Sequence, residues 1–398
     1  MRRLIFILLT SILAALVAAR AALPEPEAVP AAAAGSQYGY NIQGVDLPLS
    51  AETAGSAMIA EMNGYYLFRE PTAKNALTGL LRGRSLILIC AGSWAPNPTD
   101  GRQNPCLQEL WRDGIRFSRV YRPDWYQGSD GVEFALLSGL MPTRVNDETA
   151  LQWTGEQGIY LPYALARCLA AAGYDTRAFL PSDSRRDAYE AMGFSAVTAV
   201  SSAAGDAAEA AMEGGLPEGP FFYFLLWPGT DGEAGLARLR DALDDAGRRE
   251  DTALCLLTGN REEYHGQWFL WAEGVKGIAA DIPCSELDVT PTLLNLMGAA
   301  YDSRFLSGRD VFAENAVPGQ ASAVTPLVSL YGSAYSDWVT DAGCYIAADS
   351  VFWPDGVEFE DTERVVAYVQ AVCSLVYDRY IFARRVMENN YFHLVPGL

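Results

Sequence analysis

The sequence predicts an α/β protein: a three-layer sandwich in which helices cover both faces of a mainly parallel sheet, with a small strand-and-helix extension at the carboxyl end. The first observation is that apolar runs, such as S-L-I-L-I-C-A at 85–91, alternate with segments of helical periodicity. Such strands are typical of a parallel sheet that is buried on both faces. The second observation is that short strand patterns and one long helix pattern follow residue 313.

Composition and charge limit the number of domains and the kinds of partner. The chain has 398 residues, of which 50% are hydrophobic, and this is enough for one large domain with a leader and appendages. The net charge is −20 and the pI is near 4.5. Binding to nucleic acid or to an anionic membrane surface needs clustered Lys and Arg. We therefore expect no nucleic-acid partner.

Residues 1–20 predict a signal peptide or an amino-terminal anchor. Arg2 and Arg3 precede sixteen uncharged residues at 4–19, and small residues follow that could be recognised by a signal peptidase. The apolar run is short for a spanning helix, so cleavage is favoured over anchoring. Residues 21–50, rich in Ala and Pro at their start, predict a tether. We expect an extracytoplasmic protein that contacts a membrane only through an uncleaved amino-terminal segment.

The predicted folded domain covers residues 84–396, and most of it alternates strands with helices. A turn-rich stretch lies at 122–128, where Pro, Asp and Gly occur together. The predicted strands of this part lie at 85–91, 115–121, 175–180, 220–227 and 254–259. The predicted helices lie at 106–113, 132–138, 161–172, 185–192 and 235–246.

The carboxyl-terminal extension is predicted to hold short strands at 326–333 and 343–347, followed by a helix that begins near Glu363. Apolar residues recur along this helix at spacings of three and four, as on a packed helix face. They are Val365, Val366, Val369, Val372, Cys373, Val376 and Tyr380.

The seven cysteines do not predict a disulfide framework or a metal site. Their number is odd, and no C-x-x-C spacing is present. Four of them lie in strand-like or helical apolar runs and are interpreted as core residues: Cys90, Cys168, Cys255 and Cys373. The other three lie in loop-like surroundings and remain candidates for pairing: Cys106, Cys284 and Cys344.

Several segments, taken in order, resemble the lipoteichoic acid synthase-like branch of the alkaline phosphatase and sulfatase superfamily. Each motif alone is weak, but their order over most of the predicted domain is specific. The segment Q-G-S-D-G-V-E-F-A-L-L-S-G-L-M-P resembles the nucleophile turn and helix of that family. The other matching segments are N-P-C-L-Q-E-L-W-R-D-G-I-R-F-S-R-V-Y, L-P-Y-A-L-A-R-C-L-A-A-A-G-Y-D-T-R-A-F, E-A-M-G-F, S-E-L-D-V-T-P-T-L-L-N-L-M-G, S-G-R-D-V-F, Y-V-Q-A-V-C-S-L-V-Y-D-R-Y and V-M-E-N-N-Y-F.

The resemblance implies a single-metal phosphotransferase or hydrolase site, and this sequence departs from it. Members of the family hold one divalent ion with a Glu after the first strand, a Thr nucleophile, and an Asp-His pair after a late strand. Here the Glu position falls on Gly92, the Thr position on Ser129, and the Asp-His pair on Asn260 and Arg261. A permanent cation at Arg261 would repel a divalent ion. The resemblance therefore implies a degenerate site without a metal.

Further candidates keep the enzyme alternative open. The family's substrate-side His falls near Asp231, and Tyr264 to Gly266 is a shifted match that would bring His265 into the site. Substitute ligands for a divalent metal such as manganese would then come from Asp130, Asp231, Glu262 or His265. The chain has only two histidines, which excludes a site built from many of them.

Each candidate also has a purely structural interpretation. Ser129 with Asp130 would cap a helix, and Asn260 with Arg261 would be turn and surface residues. His265, beside two glutamates, would be a loop histidine. Asp288 is expected to cap the helix that contains Pro291, and the pair at 309–310 to form a structural turn.

Three functional hypotheses follow from these observations. The first is an exported, catalytically degenerate domain that binds an anionic envelope glycan or a glycerophosphate, with Arg261 supplying a fixed positive charge. The second is an active metal-dependent phosphotransferase, or a hydrolase of phosphate or sulfate esters, with Ser129 as nucleophile. The third is a structural protein of the envelope.

Overall fold

The central sheet has eight strands in the order β4-β3-β5-β1-β6-β7-β2-β8 in the computed structural model. The structure describes residues 38–125, 127–260, 265–313, 325–326, 337–348, 350–355, 357–359 and 361–398. The predictions for residues 1–37 lie outside the described part. The strands are β1 (Ser85–Ala91), β2 (Ile115–Phe117), β3 (Asp175–Leu180), β4 (Ala196–Ala199), β5 (Phe221–Trp227), β6 (Thr252–Asn260), β7 (His265–Trp271) and β8 (Ala279–Ala280).

The sheet is parallel except at β7, which runs antiparallel to both of its neighbours, β6 and β2. The two strands flanking β1 pair with it in parallel, with Ala91 beside Trp227 of β5 and beside Thr258 of β6. The mainly parallel sheet predicted from the sequence is confirmed. Because β2 is parallel to β6, the carboxyl ends of β1, β2, β3, β5 and β6 all lie at one edge, which we call the carboxyl edge.

The two faces of the sheet pack against two separate hydrophobic clusters, so the helices cover both faces. Leu86, Leu88 and Cys90 of β1 belong to one cluster, and the alternate residues of the same strand to the other. Successive side chains of a strand point to opposite faces. Continuous burial along a strand therefore requires cover on both sides, which confirms the three-layer arrangement.

All five helices predicted between residues 106 and 246 are found, but two further helices of this part, Ala150–Gln157 and Ala204–Met212, were not predicted. The helix predicted at 235–246 begins three residues earlier, and the one predicted at 132–138 begins four residues earlier. The helices are α1 (Ala51–Ala54), α2 (Ala57–Leu67), α3 (Pro105–Asp113), α4 (Gly128–Ser138), α5 (Ala150–Gln157), α6 (Leu165–Ala171), α7 (Arg186–Ala191), α8 (Ala204–Met212), α9 (Gly232–Asp245), α10 (Val289–Met297), α11 (Thr362–Asn389) and α12 (Tyr391–Leu394).

Residues 38–83 are part of the folded unit, so the tether predicted for residues 21–50 is wrong from residue 38 onward. Residues 38–398 form one compact unit. Asn41 donates through Nδ2 to Oδ1 of Asn295 on α10 at 3.3 Å, and Leu47 is buried in the core. Tyr66 of α2 packs on Tyr391, with ring centroids 5.5 Å apart. These contacts join the segment to distant parts of the chain, a relation that local composition does not encode.

The carboxyl-terminal extension contains a four-stranded sheet in the order β12-β11-β10-β9. The strand predicted at 343–347 is found as β11, and most of the one predicted at 326–333 lies outside the described residues. Its antiparallel strands are β9 (Thr325–Pro326), β10 (Trp338–Thr340), β11 (Gly343–Ile346) and β12 (Val351–Pro354).

The long helix α11 packs one side against the rest of the fold. Val372, Val376, Tyr380, Val386 and Met387 are buried, while Val366 is exposed, so the apolar stripe predicted for this helix is confirmed in its carboxyl-terminal part. Within the described residues, α11 is the helix that is long and apolar enough to cross a membrane. Its buried stripe is what a core helix needs.

None of the seven cysteines forms a disulfide, and six of them are buried. Cys106 and Cys284, which the sequence left as candidates for pairing, lie in α3 and in the core, while Cys344 is half-buried in β11. Burial raises the pKa of the Cys106 thiol to about 11, so this thiol is protonated at neutral pH. The cysteines act as small apolar side chains in this fold.

Candidate functional site

The carboxyl edge of the sheet brings together three of the positions singled out by the sequence: Gly92, Asn260 and Asp231. Gly92 directly follows β1, and its N–H donates to the carbonyl of Trp227 at the end of β5 at 3.0 Å. Gly259 and Asn260 end β6, whose Thr258 pairs with Ala91. Ligand sites of open α/β sheets lie at this edge. Arg261 lies outside the described residues, and of Asn260 only the backbone is described.

Gly92 opens onto empty space. A Cβ built at this position would meet no atom of the described residues within 4 Å. The loop that follows is held in place from two sides: Trp94 packs against the first residue of α9, Gly232, and the carbonyl of Pro96 accepts a hydrogen bond from Nε2 of Gln267 at 3.0 Å. Gly92, the position that resembles the family's metal-binding Glu, therefore lies beside accessible open space in a loop that is held in place.

Ser129 lies in the first turn of α4, and its side chain is exposed. The expectation that Ser129 and Asp130 cap this helix is wrong, because the helix begins at Gly128 and its N-cap is Gln127. Gln127 does not cap with its side chain, since its Oε1 accepts from the N–H of Ala150 at 3.0 Å. The side chain of Gln127 therefore does not accept a hydrogen bond from the first N–H groups of α4. These N–H groups lie at the positive end of the helix dipole.

A buried ionic network holds the start of α4 against the loop that follows β3. Nη1 of Arg185 lies 2.9 Å from Asp130 and 2.7 Å from Glu133, and Thr149 donates to the second oxygen of Asp130 at 2.9 Å. Tyr189 donates its hydroxyl to Glu133 in a short hydrogen bond. Burial raises the pKa of Glu133, and the charge of Arg185 opposes this effect. The carboxylates of Asp130 and Glu133 therefore both hold α4 in place.

Asp231 also has a structural role. It is the N-cap residue of α9, but its Oδ2 accepts a hydrogen bond from the N–H of Ala204 at 3.0 Å. Ala204 is the first residue of α8, so the carboxylate satisfies an amide that this helix would otherwise leave without a partner. Asp231 lies at the carboxyl edge, as the resemblance implies, but its carboxylate is turned toward α8.

Arg122 is a charged residue of this edge that the sequence did not identify. It is 2% exposed, and its Nε lies 3.1 Å from Oε1 of Glu286. Its Nη1 donates to the carbonyl of Gly259 at 3.3 Å, while Nη2 is buried and has no hydrogen-bond partner among the described residues. A Cβ at Gly266 would lie 2.9 Å from Cγ of Arg122, so the β6–β7 hairpin leaves room for this side chain only because it has glycine there.

The remaining sequence candidates are structural or lie outside the described residues. His265 begins β7 and pairs with Asn260 across the hairpin, so its backbone is in a strand rather than in a loop; its side chain is not described. Asp288 precedes α10, but its carboxylate accepts from the N–H groups of Ser285 and Arg309, at 2.9 and 3.0 Å, instead of capping α10. Asp310 is buried in a turn, as expected. Glu262 lies outside the described residues.

The described residues do not fit the metal that the resemblance implies. In the described part of the chain, no group of three or more His, Cys, Asp or Glu side chains is arranged to hold a metal ion. Gly92 has no ligand atom, and the carboxylates of Asp130 and Asp231 are engaged in hydrogen bonds. A divalent ion needs several oxygen or nitrogen ligands converging on one point. The described residues do not supply such a set of ligands.

One of these features had a signal in the sequence and two did not. Glu133 interrupts the apolar run V-E-F-A-L-L on α4, and an acid inside such a run indicates a buried partner. Arg122 and Arg185 lie in turn-rich stretches, where an arginine is normally solvated. Their partners, Glu286 and Glu133, are distant in sequence, so no local pattern connects them.

Comparison with known proteins supports the fold. No family model and no curated protein matches the sequence. Among solved structures, the chain is similar to the lipoteichoic acid synthase LtaP from Listeria monocytogenes, with a TM-score of 0.62 and 13% identity over 83% of this chain and 98% of that one. It is also similar to a protein of the alkaline phosphatase superfamily from Vibrio parahaemolyticus, with a TM-score of 0.59 and 15% identity over 81% and 91% of the two chains.

A third similar structure was solved in complex with its substrate, D-glucosamine-2-N,6-O-disulfate. Its TM-score is 0.51 at 10% identity, over 75% of this chain and 98% of that one. At such low identity the likeness shows the fold alone. The fold predicted from the ordered motifs is confirmed.

Proposed function

We propose that this chain, which has the lipoteichoic acid synthase-like fold of the alkaline phosphatase superfamily, is an exported domain that binds without a metal and without turnover. The ligand we propose is an anionic envelope glycan or a glycerophosphate. The observation that carries the proposal is the amino terminus of α4, which lies exposed at the carboxyl edge without a side-chain cap. An anion is the ligand that such a helix end favours.

The chemistry of this edge suits a phosphate or sulfate group. The N–H groups of the first turn of α4 and the hydroxyl of Ser129 are donors, and the helix dipole adds roughly half a positive charge. The same edge holds the guanidinium of Arg122, which is buried and paired with Glu286 and whose Nη2 has no hydrogen-bond partner within the described residues. Arg261, which follows Asn260 directly, adds a second cation in the sequence. Charged hydrogen bonds of this kind contribute about 1.5–3 kcal/mol each.

Binding without turnover is supported by the surroundings of Ser129. Its hydroxyl has no hydrogen bond to a base within the part of the chain that the structure describes, and its neighbour Asp130 is paired with Arg185. A serine needs an adjacent base or a metal to become a nucleophile. The space at Gly92 gives a ligand group room beside the end of β1.

The ligand class can be tested by calorimetric titration of the purified chain with glycerol phosphate and with sulfate, in the presence of a chelator. We compare Ser129→Asp with Ser129→Asn, which has nearly the same shape but no charge. Both side chains are compatible with the first turn of a helix. We expect Ser129→Asp to weaken binding by about tenfold or more, because its carboxylate repels the anion, and Ser129→Asn to change it little.

Two results would refute the proposal. One is equal binding by the two variants, which would place any anion away from α4. The other is stoichiometric manganese, zinc, magnesium or calcium in the purified chain, together with hydrolysis of aryl phosphate, phosphodiester or sulfate esters that Ser129→Ala abolishes. That pair of findings would establish the metal-dependent enzyme instead.

A further inference from the structure

The carboxyl-terminal sheet has an apolar outer face, on the side opposite to α11. Phe352 of β12 points toward α11, since its ring centroid lies 5.8 Å from that of Tyr368. Side chains alternate along a strand, so Val351 and Trp353 point to the other side. The register places Ile346 opposite Val351, and Cys344 opposite Trp353. We call this set of four residues the outer face.

This face is exposed at its β12 end. Trp353 is 65% exposed, more than any other large hydrophobic side chain in the described residues, and Val351 is 36% exposed. Cys344 and Ile346 are half-buried. Contiguous apolar groups of this kind, and exposed tryptophan above all, mark surfaces that bind a partner.

The backbone of β12 is also available. β12 is the edge strand of its sheet, with β11 on one side and no strand on the other within the described residues. An extended peptide can pair with such an edge and place alternate side chains on its two faces. Pro354 ends the strand and lacks an N–H, so pairing is limited to the residues before it.

The negative charge of the segment around β12 determines which kind of partner can bind to the outer face. Residues 337–363 contain eight Asp and Glu and no Lys, Arg or His. Asp355, Glu358, Asp361 and Glu363 are exposed. Phe359, beside Glu358, has its ring centroid 5.8 Å from that of Phe352, which brings this acidic segment next to β12. An anionic membrane or the same face of a second copy would be repelled.

We propose that the outer face and the edge of β12 form a docking surface for a cationic amphipathic segment of a partner protein. The segment pairs with β12 in an extended conformation. Its apolar side chains cover Trp353 and Val351, while its basic side chains on the other face of the strand meet Glu358, Asp361 and Glu363. The proposal is independent of anion binding at the carboxyl edge of the central sheet.

The probe for the test is a fluorescein-labelled peptide of about eight residues that alternates Lys and Val, a length that matches a typical strand. Its binding to the full-length chain is measured by fluorescence anisotropy. Trp353→Ser removes the apolar contact, and Leu49→Ser, at another exposed apolar residue, is the control. Glu358→Gln with Glu363→Gln removes two charges, and Glu213→Gln with Glu218→Gln is the control for net charge.

We expect Trp353→Ser and the double variant at 358 and 363 each to weaken binding about fivefold or more, the loss of roughly 1 kcal/mol expected at a hot spot. Neither control should have this effect. Salt at about 500 mM should weaken the wild type by screening. The proposal is overturned by equal binding of a Glu-Val peptide or by unchanged binding of Trp353→Ser. It is also overturned by self-association, or by adsorption to anionic vesicles, that depends on Trp353.

Discussion

Gly92 and Gly308 differ in whether the surrounding structure leaves room for a side chain. A Cβ at Gly92 would meet open space, whereas a Cβ at Gly308 would lie 1.9 Å from the carbonyl oxygen of Leu287. Gly92 is thus permitted rather than required, and a side chain could be restored there. Gly308, in the turn before Arg309, is required by the close approach of the backbone.

We therefore predict opposite effects for two glycine substitutions. Gly92→Glu should change the free energy of unfolding by no more than about 0.5 kcal/mol, as for surface substitutions. Gly308→Ala should lower it by about 1–3 kcal/mol, because the new methyl group cannot be placed without moving backbone. Urea denaturation of both variants measures this, and a severe loss of stability in Gly92→Glu would mean that the gap beside β1 is filled.

Asp310 gives a prediction about pH. Its carboxylate accepts from Nδ2 of Asn75 at 2.7 Å and from the N–H of Phe312 at 3.1 Å, but burial outweighs these bonds and raises the pKa of Asp310 to about 7. Between pH 4 and 7 the folded state then holds a proton that the unfolded state releases. The stability contributed by Asp310 is therefore present below about pH 4 and is lost as the pH rises to about 7.

The measurement is the urea midpoint as a function of pH for the wild type and for Asp310→Asn, which is always neutral. The urea midpoint of the wild type should fall between pH 4 and 7. We expect a smaller fall in the variant, because it lacks the contribution of Asp310. The stability of both proteins still declines as the pH rises, because burial also raises the pKa values of Glu133 and Asp288. Parallel profiles for wild type and variant would show that Asp310 keeps its ordinary pKa.

Among the secondary-structure elements, helix α8 is capped by a side chain that does not belong to the helix. The carboxylate of Asp231 satisfies the N–H of Ala204, the first residue of the helix. We predict that Asp231→Ala lowers the free energy of unfolding by about 1 kcal/mol, the usual cost of losing a cap, and that Asp231→Asn, which keeps an acceptor oxygen, restores most of it. Thermal denaturation distinguishes the variants. A loss of glycerol phosphate binding without a loss of stability would instead assign Asp231 to the ligand site.

The elements that the sequence predicted best are those whose pattern is determined locally. β1 and β5 are apolar along their whole length, and their bounds agree with the prediction because burial on both faces leaves a continuous signal. The strand β7, with the sequence H-G-Q-W-F-L-W, was missed, since it follows β6 after a short connection in a chain that otherwise alternates strands with helices. The small helix α8, with the sequence A-G-D-A-A-E-A-A-M, was also missed, because its buried face consists of alanine and glycine instead of large apolar residues.

The site was predicted less well than the fold. The motif order located Gly92, Asn260 and Asp231 at the carboxyl edge, because strand ends are fixed by topology. What each side chain does there depends on partners far away in sequence, such as Ala204 for Asp231 and Glu286 for Arg122. Such pairings arise from packing, and a single sequence does not contain them.

For the whole molecule, the charged and apolar segments at the amino terminus predict export. We expect a fusion of residues 1–35 to a reporter that is active only after export to be active, because Arg2 and Arg3 before an uncharged run are typical of a secretory signal. A fusion in which residues 4–19 carry three added charges is the control. An inactive fusion whose reporter protein is retained in the cytoplasm would contradict the proposed location.

The position of β1 in the sheet has a consequence for how the chain folds. β1 is made early in synthesis, yet Leu86 pairs with Phe222 and Ser85 pairs with Thr252, so both of its neighbours emerge much later. Until then this uncharged apolar strand has two open edges, the condition under which chains aggregate. Contacts so distant in sequence also make folding slow. We therefore expect that β1 must be shielded until β6 has been synthesised, and that fragments ending before Thr252 are insoluble.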